Sequence, residues 1–331
     1  MPSRISVIVV AWNAREFLRK CLASVDRETR RHPYETVVVD NGSTDHSAEM
    51  VKAEFPSAAL LRNDRNEGFV KGNNRALRRI LAEARSDYVL LLNSDAVVND
   101  GAVDRLADFL DAHPEAGGAG PALILPSGAF QTGPGGWLPS LRSAFDYFFF
   151  VYKLLPRSSR PLFIDPNAER NTGTHHLIVL KSGQLSDVSP YFSPDFHRRV
   201  DWLSGACLML RRSAVERAGL MNEEYFLYAD DIDWCGRMTR QGIALYFLPG
   251  VRVVHFHGLT AKTIHKKTNT RWLKFLFRYV RLNRGLFEAL FFRLIAAAGF
   301  GLRAFIHSLR SPFSQKTGEM AAYAIYSLFG R

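Results

Sequence analysis

Cysteine is scarce in this sequence: there are only three, Cys21, Cys207 and Cys235, among 331 residues. They lie far apart and form no CxxC pair, which argues against a disulfide-rich fold and against a zinc cluster of the usual spacing. Because unpaired thiols are typical of reducing compartments, we expect the protein to work in the cytoplasm.

The sequence also lacks a recognisable signal peptide and a long hydrophobic run. The first residues lead directly into Ile5–Val10, which is too short for the apolar region of a signal peptide and is typical of a buried strand. Further along, Leu294–Leu302 contains nine residues between Arg293 and Arg303. Since a membrane span needs about 20 apolar residues, we predict no transmembrane helix.

Acidic residues are rare after position 261. Residues 262–331 contain 13 of the 43 basic residues but only 2 of the 32 acidic ones, a surplus equal to the net charge of +11 of the whole chain. The rest of the chain is neutral, which argues against general nucleic-acid binding. Because the basic segment is aromatic-rich and helical in pattern, we expect residues 263–331 to lie on an anionic membrane surface. The alternative is a set of helices that pack on the body and expose a basic face to solvent.

The first 125 residues alternate between short apolar runs of strand type, such as Ile5–Val10, and segments with helical spacing, such as residues 14–25. This alternation predicts an α/β fold with a mostly parallel sheet flanked by helices. Residues 126–200 break the pattern and are rich in glycine, proline and aromatic residues, so we interpret them as a variable insertion. Strand and helix patterns return in residues 201–262. We therefore place one domain at residues 1–262, followed by a basic and apolar helical appendage.

Three polar motifs follow apolar runs or open a helix in the first 100 residues. Asp40-Asn41-Gly42-Ser43 follows Val37–Val39, and Asn93-Ser94-Asp95 follows Tyr88–Leu92. A carboxylate in such a place can bind a base or ribose, or hold Mg²⁺ against a diphosphate. Asn66-Glu67-Gly68 opens a helix, whose N-terminus suits a phosphate. Each motif alone is about equally typical of a turn, a helix cap or a polar strand end.

Two further motifs lie after residue 200. Asp230-Asp231-Ile232-Asp233 opens a helix, where acidic residues also favour the helix dipole and Asp233 can pair with Arg237. Adjacent carboxylates repel each other, which raises one pKa and suits a general base. His255 ends an apolar run and can ligate a metal, with His257 as the alternative, although a lone histidine is more often structural. Because strand ends and helix starts can meet at one edge of a sheet, we expect all five motifs to surround one site.

Together these motifs resemble those of the family 2 glycosyltransferases, and within them a bacterial rhamnosyltransferase-like branch. The resemblance covers residues 4–285 and includes Gly72-Asn73-Asn74 and Ser204-Gly205-Ala206-Cys207. It implies a GT-A fold, a nucleotide-sugar donor, inversion at the anomeric carbon and a divalent metal, Mg²⁺ or Mn²⁺. It also implies a role in polysaccharide biosynthesis for the cell envelope, at the inner face of the cell membrane.

The resemblance assigns roles to individual residues. Asp231 takes the place of the general base, with Asp230 and Arg237 in support, and Asp95 and His255 take the places of metal ligands. The donor would be bound by Asn13, Asp40, Asn66, Gly68, Asn73, Asn93 and Asp95. Asn93 stands where the family's Asp-x-Asp motif has its first acid, so metal binding would depend on Asp95 and His255. The segment Gly219–Glu223 departs from the family's usual Gly-Gly-Phe-Asp-Glu, which leaves the acceptor preference open.

The resulting prediction is a metal-dependent, inverting glycosyltransferase. We expect transfer of rhamnose from dTDP-rhamnose to a hydroxyl of a glycan or lipid-linked glycan. Residues 1–125 would hold the nucleotide, residues 126–200 would serve the acceptor, and residues 201–262 would form the catalytic half. The alternatives are a UDP-hexose-dependent transferase of the same family, a nucleotidyltransferase and a non-catalytic sugar-binding protein. A nucleotidyltransferase would need a basic, phosphate-gripping loop near the N-terminus, and the turn at Val10–Ala14 has no glycine repeat.

Overall fold

The computed structural model describes residues 2–155, 159–166, 177–179, 185–187, 196–256, 270–312 and 314–330. The chain forms two compact units: the first joins Met1–Gly135 to Asp165–Ala261, and the second joins Gly136–Ile164 to Lys262–Arg331. The second unit thus combines part of the predicted insertion with the C-terminal appendage. The predicted boundary at residue 262 and the alternative ligand His257 lie outside the described residues.

Strands and helices alternate in the first part of the chain, as predicted. They are β1 (Ile5–Ala11), α1 (Arg15–Glu28), β2 (Tyr34–Asp40), α2 (Ser47–Glu54), β3 (Ala59–Arg62), α3 (Gly68–Glu83), β4 (Tyr88–Asn93), β5 (Ala96–Val98), α4 (Ala102–Ala112) and β6 (Ala116–Ile124). Next come β7 (Gly135–Gly136), α5 (Leu141–Phe148), α6 (Val151–Leu154), β8 (Leu177–Val179) and β9 (Leu185–Asp187). The remaining elements are β10 (Arg198–Val200), β11 (Trp202–Leu203), β12 (Cys207–Arg211), α7 (Arg212–Ala218), α8 (Asp230–Arg240), β13 (Ala244–His255), α9 (Arg271–Arg284), α10 (Leu286–Ser308) and α11 (Gln315–Phe329).

The first unit is built on a mixed sheet with the order β10-β13-β6-β12-β4-β1-β2-β3, and β5 pairs with β13. The segment from β4 through β1 and β2 to β3 is parallel, as the continuous apolar runs predict. β12 runs antiparallel between β4 and β6 and so joins the later part of this unit to its beginning. The prediction of an α/β fold with helices on a mostly parallel sheet is confirmed.

Buried aliphatic side chains hold this sheet against its helices. Val9 and Leu90 of the sheet belong to the same buried cluster as Leu18 of α1 and Leu106 of α4. Burial of each such side chain contributes about 1.5–3 kcal/mol to folding.

The helix α3 comes unusually close to β1. A Cβ atom on Gly72 would lie 2.7 Å from a methyl group of Val10, so only glycine allows this approach. The close contact brings the N-terminal part of α3 beside the carboxyl end of β1.

The apolar pattern predicts one strand at Trp202–Leu210 and two strands at 244–248 and 251–254, and the structure differs in both regions. The predicted strand Trp202–Leu210 is interrupted at Ser204–Ala206, where the backbone N–H of Ser204 donates to the carbonyl of Pro134 and the carbonyl of Ala206 accepts from Asn93. The two predicted strands at 244–248 and 251–254 form the single strand β13, which shifts its register against β6 between Leu248 and Arg252. The apolar pattern continues through both regions, so it does not reveal either feature.

The second unit contains α5, α6 and the three C-terminal helices. The predicted helical segment from Trp272 to Leu309 is divided at Gly285, whose φ of +88° is readily adopted only by glycine. Aromatic rings pack edge to face in its interior: Phe148 of α5 meets Phe300 of α10, and Trp272 of α9 meets Tyr323 of α11.

The helix α10 extends beyond the apolar run Leu294–Leu302 at both ends, so it includes Arg293 and Arg303. Arg293 donates to the carbonyls of Ser327 and Gly330, and Arg303 donates to the carbonyl of Tyr147. The Arg303 guanidinium also lies 4.5 Å from the ring centre of Phe150. Among the described helices, α10 alone is long and apolar enough to cross a membrane, although a third of its most apolar window is buried inside the protein.

The opposite side of α10 is apolar and exposed. Phe287 is 80% exposed and Phe305 is 60% exposed. Helical spacing places these two side chains in one row, which we call the apolar stripe of α10: Phe287, Leu290, Phe291, Leu294, Leu302, Phe305 and Ile306. The arginine contacts of α10 and the rings of Phe292 and Phe300 therefore face the unit's interior, while the apolar stripe faces outward.

Candidate active site

The polar motifs of the first 100 residues meet at one edge of the sheet. Asp40 is the last residue of β2 and pairs with Ala11 of β1, while Asn93 is the last residue of β4 and pairs with Val10. The two side chains thus flank the end of β1, and since adjacent strands are about 4.8 Å apart, their backbones lie roughly 10 Å from each other.

Asp40 is buried and keeps one oxygen available. Its Oδ1 accepts from the backbone N–H of Ser43 at 3.2 Å. Its Oδ2 has no hydrogen-bond partner among the described residues, and the Nε of Arg62 is 3.5 Å away. A buried carboxylate oxygen in this state can accept a hydrogen bond from a bound molecule.

Asn13 shapes the loop that follows Asp40. It has a positive φ of 48°, its backbone N–H donates to Ser43 Oγ, and its Oδ1 accepts from the N–H of Thr44 at 2.8 Å. The side chain of Asn13 is thus used to hold the loop. Its predicted role in donor binding stays a prediction.

The loop before α3 is organised by Asn41, a buried residue that the sequence analysis did not single out. Its Nδ2 donates to Asn66 Oδ1 and to the carbonyl of Gly68, and its Oδ1 accepts from Asn63 and from the N–H of Glu67. Gly68 has a φ of +86°. These bonds fix the loop backbone in front of the N-terminus of α3.

The asparagines of α3 have different partners. Asn73 is buried and donates to the carbonyl of Phe69 in its own helix. Asn74, also buried, donates to the carbonyl of Met221 and to Glu223, and accepts from the N–H of Met221. α3 therefore holds the segment that leads to the acidic motif Asp230-Asp231-Ile232-Asp233.

Asn93, Asp95 and His255 form a compact cluster at the end of β4. His255 ends β13 and pairs with Ala96 of β5, which brings its Nε2 to 3.2 Å from Asp95 Oδ1 and 3.2 Å from Asn93 Nδ2. Asp95 and His255 are both buried. Among the described residues no group of three or more His, Cys, Asp or Glu side chains could hold a metal ion, so a bound ion would need oxygen ligands from elsewhere.

The motif Asp230-Asp231-Ile232-Asp233 opens α8, and its first two aspartates have different environments. Burial raises the pKa of Asp230 well above its usual range, and the charge of Asp231 raises it further. Burial also raises the pKa of Asp231, but the N–H groups of Gly205 and Ile232 donate to its carboxylate and oppose this shift. Asp231 is therefore the more easily ionised of the two, so it is the carboxylate that is free to take up a proton.

The backbone before this motif is strained. Tyr228 and Ala229 both have positive φ values, 71° and 59°, in a region that side-chain-bearing residues rarely adopt. Such strain costs on the order of 1–3 kcal/mol per residue and is typical of functional turns. Arg237 supports the neighbouring segment by donating to the carbonyls of Ala218 and Leu220.

Hydrogen bonds to the turn before β12 connect the motif Asn93-Ser94-Asp95 with the acidic motif that opens α8. The N–H of Asn93 donates to the carbonyl of Ala206, and the adjacent Gly205 donates its N–H to Asp231 Oδ2 at 3.2 Å. A Cβ on Gly205 would lie 3.3 Å from the ring of Phe69, at the start of α3. Asp231, the end of β4 and the N-terminus of α3 therefore belong to one locality, which suits proton transfer beside a bound phosphate-containing ligand.

Comparisons with known proteins bear on the fold and the family. Two family models match the chain: Glycosyl transferase family 2 over residues 6–149 and Glycosyltransferase like family 2 over residues 193–274. A solved structure of GalNAc-T7 with UDP, GalNAc and Mn²⁺ superposes with a TM-score of 0.57 at 16% identity, covering 98% of this chain and 57% of that chain. The fold thus defines a class, the glycosyltransferases of the GT-A type.

The curated relatives narrow the class. The N-acetylglucosaminyl-diphospho-decaprenol L-rhamnosyltransferase of Mycobacterium tuberculosis is 28% identical over 262 residues, which cover 77% of this chain and 76% of the relative. The dTDP-rhamnosyl transferase RfbF of Shigella flexneri is 24% identical over 258 residues, covering 78% and 71%. The chain belongs to glycosyltransferase family 2, and its relatives include bacterial rhamnosyltransferases, so the nucleotidyltransferase and sugar-binding alternatives are set aside.

Proposed function

We propose that this glycosyltransferase moves rhamnose from dTDP-rhamnose to a hydroxyl of a lipid-linked glycan, with inversion at the anomeric carbon. The donor and acceptor classes are supported by the printed activities of its relatives, a dTDP-rhamnosyl transferase and a rhamnosyltransferase named for a diphospho-decaprenol acceptor. The observation that carries the proposal is the position of Asp231, which is hydrogen-bonded to Gly205 beside the strand end that bears Asn93 and Asp95.

In the proposed reaction Asp231 acts as the general base. It takes the proton from the acceptor hydroxyl as that oxygen attacks the anomeric carbon and the nucleoside diphosphate leaves. The N–H groups of Gly205 and Ile232 hold the carboxylate in place and oppose the rise in its pKa that burial causes. Asp231 as a residue is half-buried rather than fully buried.

The donor nucleotide is assigned to the edge formed by β1, β2 and α3. Asp40 Oδ2 is buried without a hydrogen-bond partner among the described residues, and the N3–H of thymine would supply the missing donor. Asn13, Asn66 and Gly68 shape the loops around it, and Asn73 lies in the first turns of α3. Uracil carries the same N3–H, so a UDP-hexose is the second candidate donor.

A divalent cation, Mg²⁺ or Mn²⁺, is assigned to Asp95 and His255. Adjacent ligands of an octahedral ion at about 2.1 Å are roughly 3 Å apart, and the observed separation of Asp95 Oδ1 and His255 Nε2 is 3.2 Å. Two side chains suit an ion that takes its other ligands from a diphosphate and water. When bound, the ion would neutralise charge on the departing diphosphate, near Asn93.

The second unit is proposed to place the enzyme at the cytoplasmic membrane surface. The apolar stripe of α10 can enter the lipid interface, while exposed Arg281, Arg284 and Arg310 can contact anionic headgroups. A lipid-linked acceptor would be found at this surface.

Release of nucleoside diphosphate with and without acceptor tests the proposal. With acceptor present, dTDP-rhamnose should be consumed faster than UDP-hexoses, and Asp231→Asn should bind the donor but lose transfer by about 10²–10⁴-fold, the usual value of general-base help. Glu224→Gln, which removes an exposed carboxylate from the same loop, is the control and should retain transfer. Near-normal turnover in Asp231→Asn would show that Asp231 is not the general base. A preference for a UDP-hexose would show that dTDP-rhamnose is not the donor.

A further inference from the structure

His255 has contacts at both ring nitrogens, and they do not all fit one protonation pattern. Nδ1 lies 2.8 Å from Gln131 Oε1, and Nε2 lies 3.2 Å from both Asn93 Nδ2 and Asp95 Oδ1. An amide nitrogen only donates and an ionised carboxylate only accepts. Nε2 therefore cannot form a hydrogen bond with Asn93 and with Asp95 at the same time.

The contact with Gln131 places a proton on Nδ1, because Oε1 only accepts, and in the neutral ring Nε2 is then unprotonated. A proton on Nδ1 satisfies Gln131 and leaves a lone pair on Nε2, which then accepts from Asn93. In this tautomer Nε2 and Asp95 Oδ1 lie 3.2 Å apart with no proton between them, and a cation bound there would take the Nε2 lone pair in place of the Asn93 contact. Two electron-rich atoms at that distance repel unless a cation lies between them.

Gln131 is placed by a tight reversal of the chain after β6. Leu125 and Ala129 close the turn with an N–H to carbonyl bond of 2.8 Å, and Gly128 within it has a φ of +82°. The N–H of Gln131 then donates to the carbonyl of Leu123, whose neighbour in the sheet is Val253 of β13. The side chain of Gln131 is therefore held beside the end of β13 by backbone bonds.

We propose that Gln131 is a positioning residue that keeps the proton of neutral His255 on Nδ1, so that Nε2 and Asp95 together receive the divalent cation. The inference rests on the cation site of the proposed function. It adds a residue that contacts neither the cation nor the substrates and that acts through His255. Partners of this kind typically change metal affinity by about 10–100-fold.

The tautomer can be measured directly in the metal-free protein by two-dimensional ¹⁵N–¹H NMR of the histidine rings. At about pH 8.5, where a free imidazole is neutral, the resonances of His255 should show a protonated Nδ1 and an unprotonated Nε2. His255→Asn identifies the resonances. Protonation at Nε2 would overturn the proposal, because Gln131 would then be donating to Nδ1 and the lone pair would be absent from the cation site.

Mn²⁺ binding, measured by electron paramagnetic resonance with and without dTDP, tests the consequence. Gln131→Leu should weaken Mn²⁺ binding by about 10–100-fold, and Gln131→Glu, which keeps an acceptor at this position, should restore it. Thr132→Ala, at the exposed neighbouring position, is the control. Thermal unfolding of each metal-free variant shows whether a loss of binding comes from a loss of folding.

The outcomes separate this inference from the proposed function. Wild-type affinity in Gln131→Leu would overturn the role of Gln131 while leaving the cation site in place. A wild-type protein that binds no Mn²⁺ would overturn both the cation site and the inference, whereas sugar transfer by Asp231 would still be decided by the nucleotide-release assay.

Discussion

Asp230 and Asp231 are neighbours in sequence, but their surroundings make them different acids. Asp231 has two N–H donors, whereas the pKa of Asp230 is raised by burial and by the charge of Asp231. A raised pKa means that folding must either desolvate a charge or take up a proton at Asp230. Asp230 is therefore expected to lower the stability of the protein at neutral pH.

Asp230→Asn should stabilise the fold at pH 7 to 8. The unfolded aspartate has a pKa of about 3.9, and the folded value is higher, so wild-type stability falls as the pH rises between these two values. Asparagine does not titrate, so its advantage should be greatest above the folded pKa and vanish below about pH 3.9. Thermal unfolding of both proteins across pH measures this difference. An advantage that is equal at all pH values would contradict the assignment of a raised pKa.

At the scale of elements, the contact between α3 and the segment before α8 sets the position of Asp231. Asn74 bonds to both the N–H and the carbonyl of Met221, and it lowers the pKa of Glu223 together with Arg78. The N–H of Phe69 also donates to the carbonyl of Phe226, two residues before the strained pair Tyr228 and Ala229. α3 and the segment before α8 are thus connected by hydrogen bonds at two places, Asn74 to Met221 and Phe69 to Phe226.

Asn74→Ala should reduce both stability and turnover. It leaves the buried backbone groups of Met221 without partners, at about 1–3 kcal/mol for each unsatisfied group. Arg78→Ala removes only an exposed ion pair with Glu223 and should cost less than about 1 kcal/mol. Urea unfolding measures the stability and nucleotide release measures kcat. If Asn74→Ala lowered stability but left kcat unchanged, α3 would have no part in positioning Asp231.

The elements of the parallel sheet could be predicted because their apolar runs are continuous and end in polar motifs. The apolar run Tyr88–Leu92 corresponds closely to β4, and the motif Asn66-Glu67-Gly68 opens α3 as predicted. The turn at Ser204–Ala206 and the place of Gln131 could not be predicted, because they depend on bonds between residues far apart in sequence. Pattern alone shows which residues carry charge, but not that Asn41 and Asn13 hold loops.

At the scale of the whole molecule, the second unit exposes the apolar stripe of α10, while Arg293 and Arg303 of the same helix bond to carbonyls. The prediction that no helix is long enough to span a membrane relied on Arg293 and Arg303 as boundaries, but both lie inside α10 and bond to carbonyls. α10 meets the length and composition of a span. The exposed row of side chains along only one face favours insertion parallel to the membrane over crossing it.

Binding to vesicles tests the apolar stripe of α10. The double variant Leu294→Glu with Phe305→Glu should sediment with anionic vesicles much less than wild type, because both charges would enter the lipid interface. Gln315→Glu adds an exposed negative charge on α11 without removing apolar surface and is the control. Wild-type binding should persist in part at 0.5 M salt, since only the attraction of Arg281 and Arg284 is screened. Unchanged sedimentation of the double variant would exclude the stripe as the membrane contact.

The position of β12 between β4 and β6 has a consequence for biogenesis. When a ribosome has released β1 to β4, the strand bearing Asn93 still presents an open, apolar edge, because its second neighbour is synthesised much later. Such edges readily pair with foreign strands. The nascent chain should therefore need a chaperone during that interval, and no partly translated product should acquire the transfer reaction.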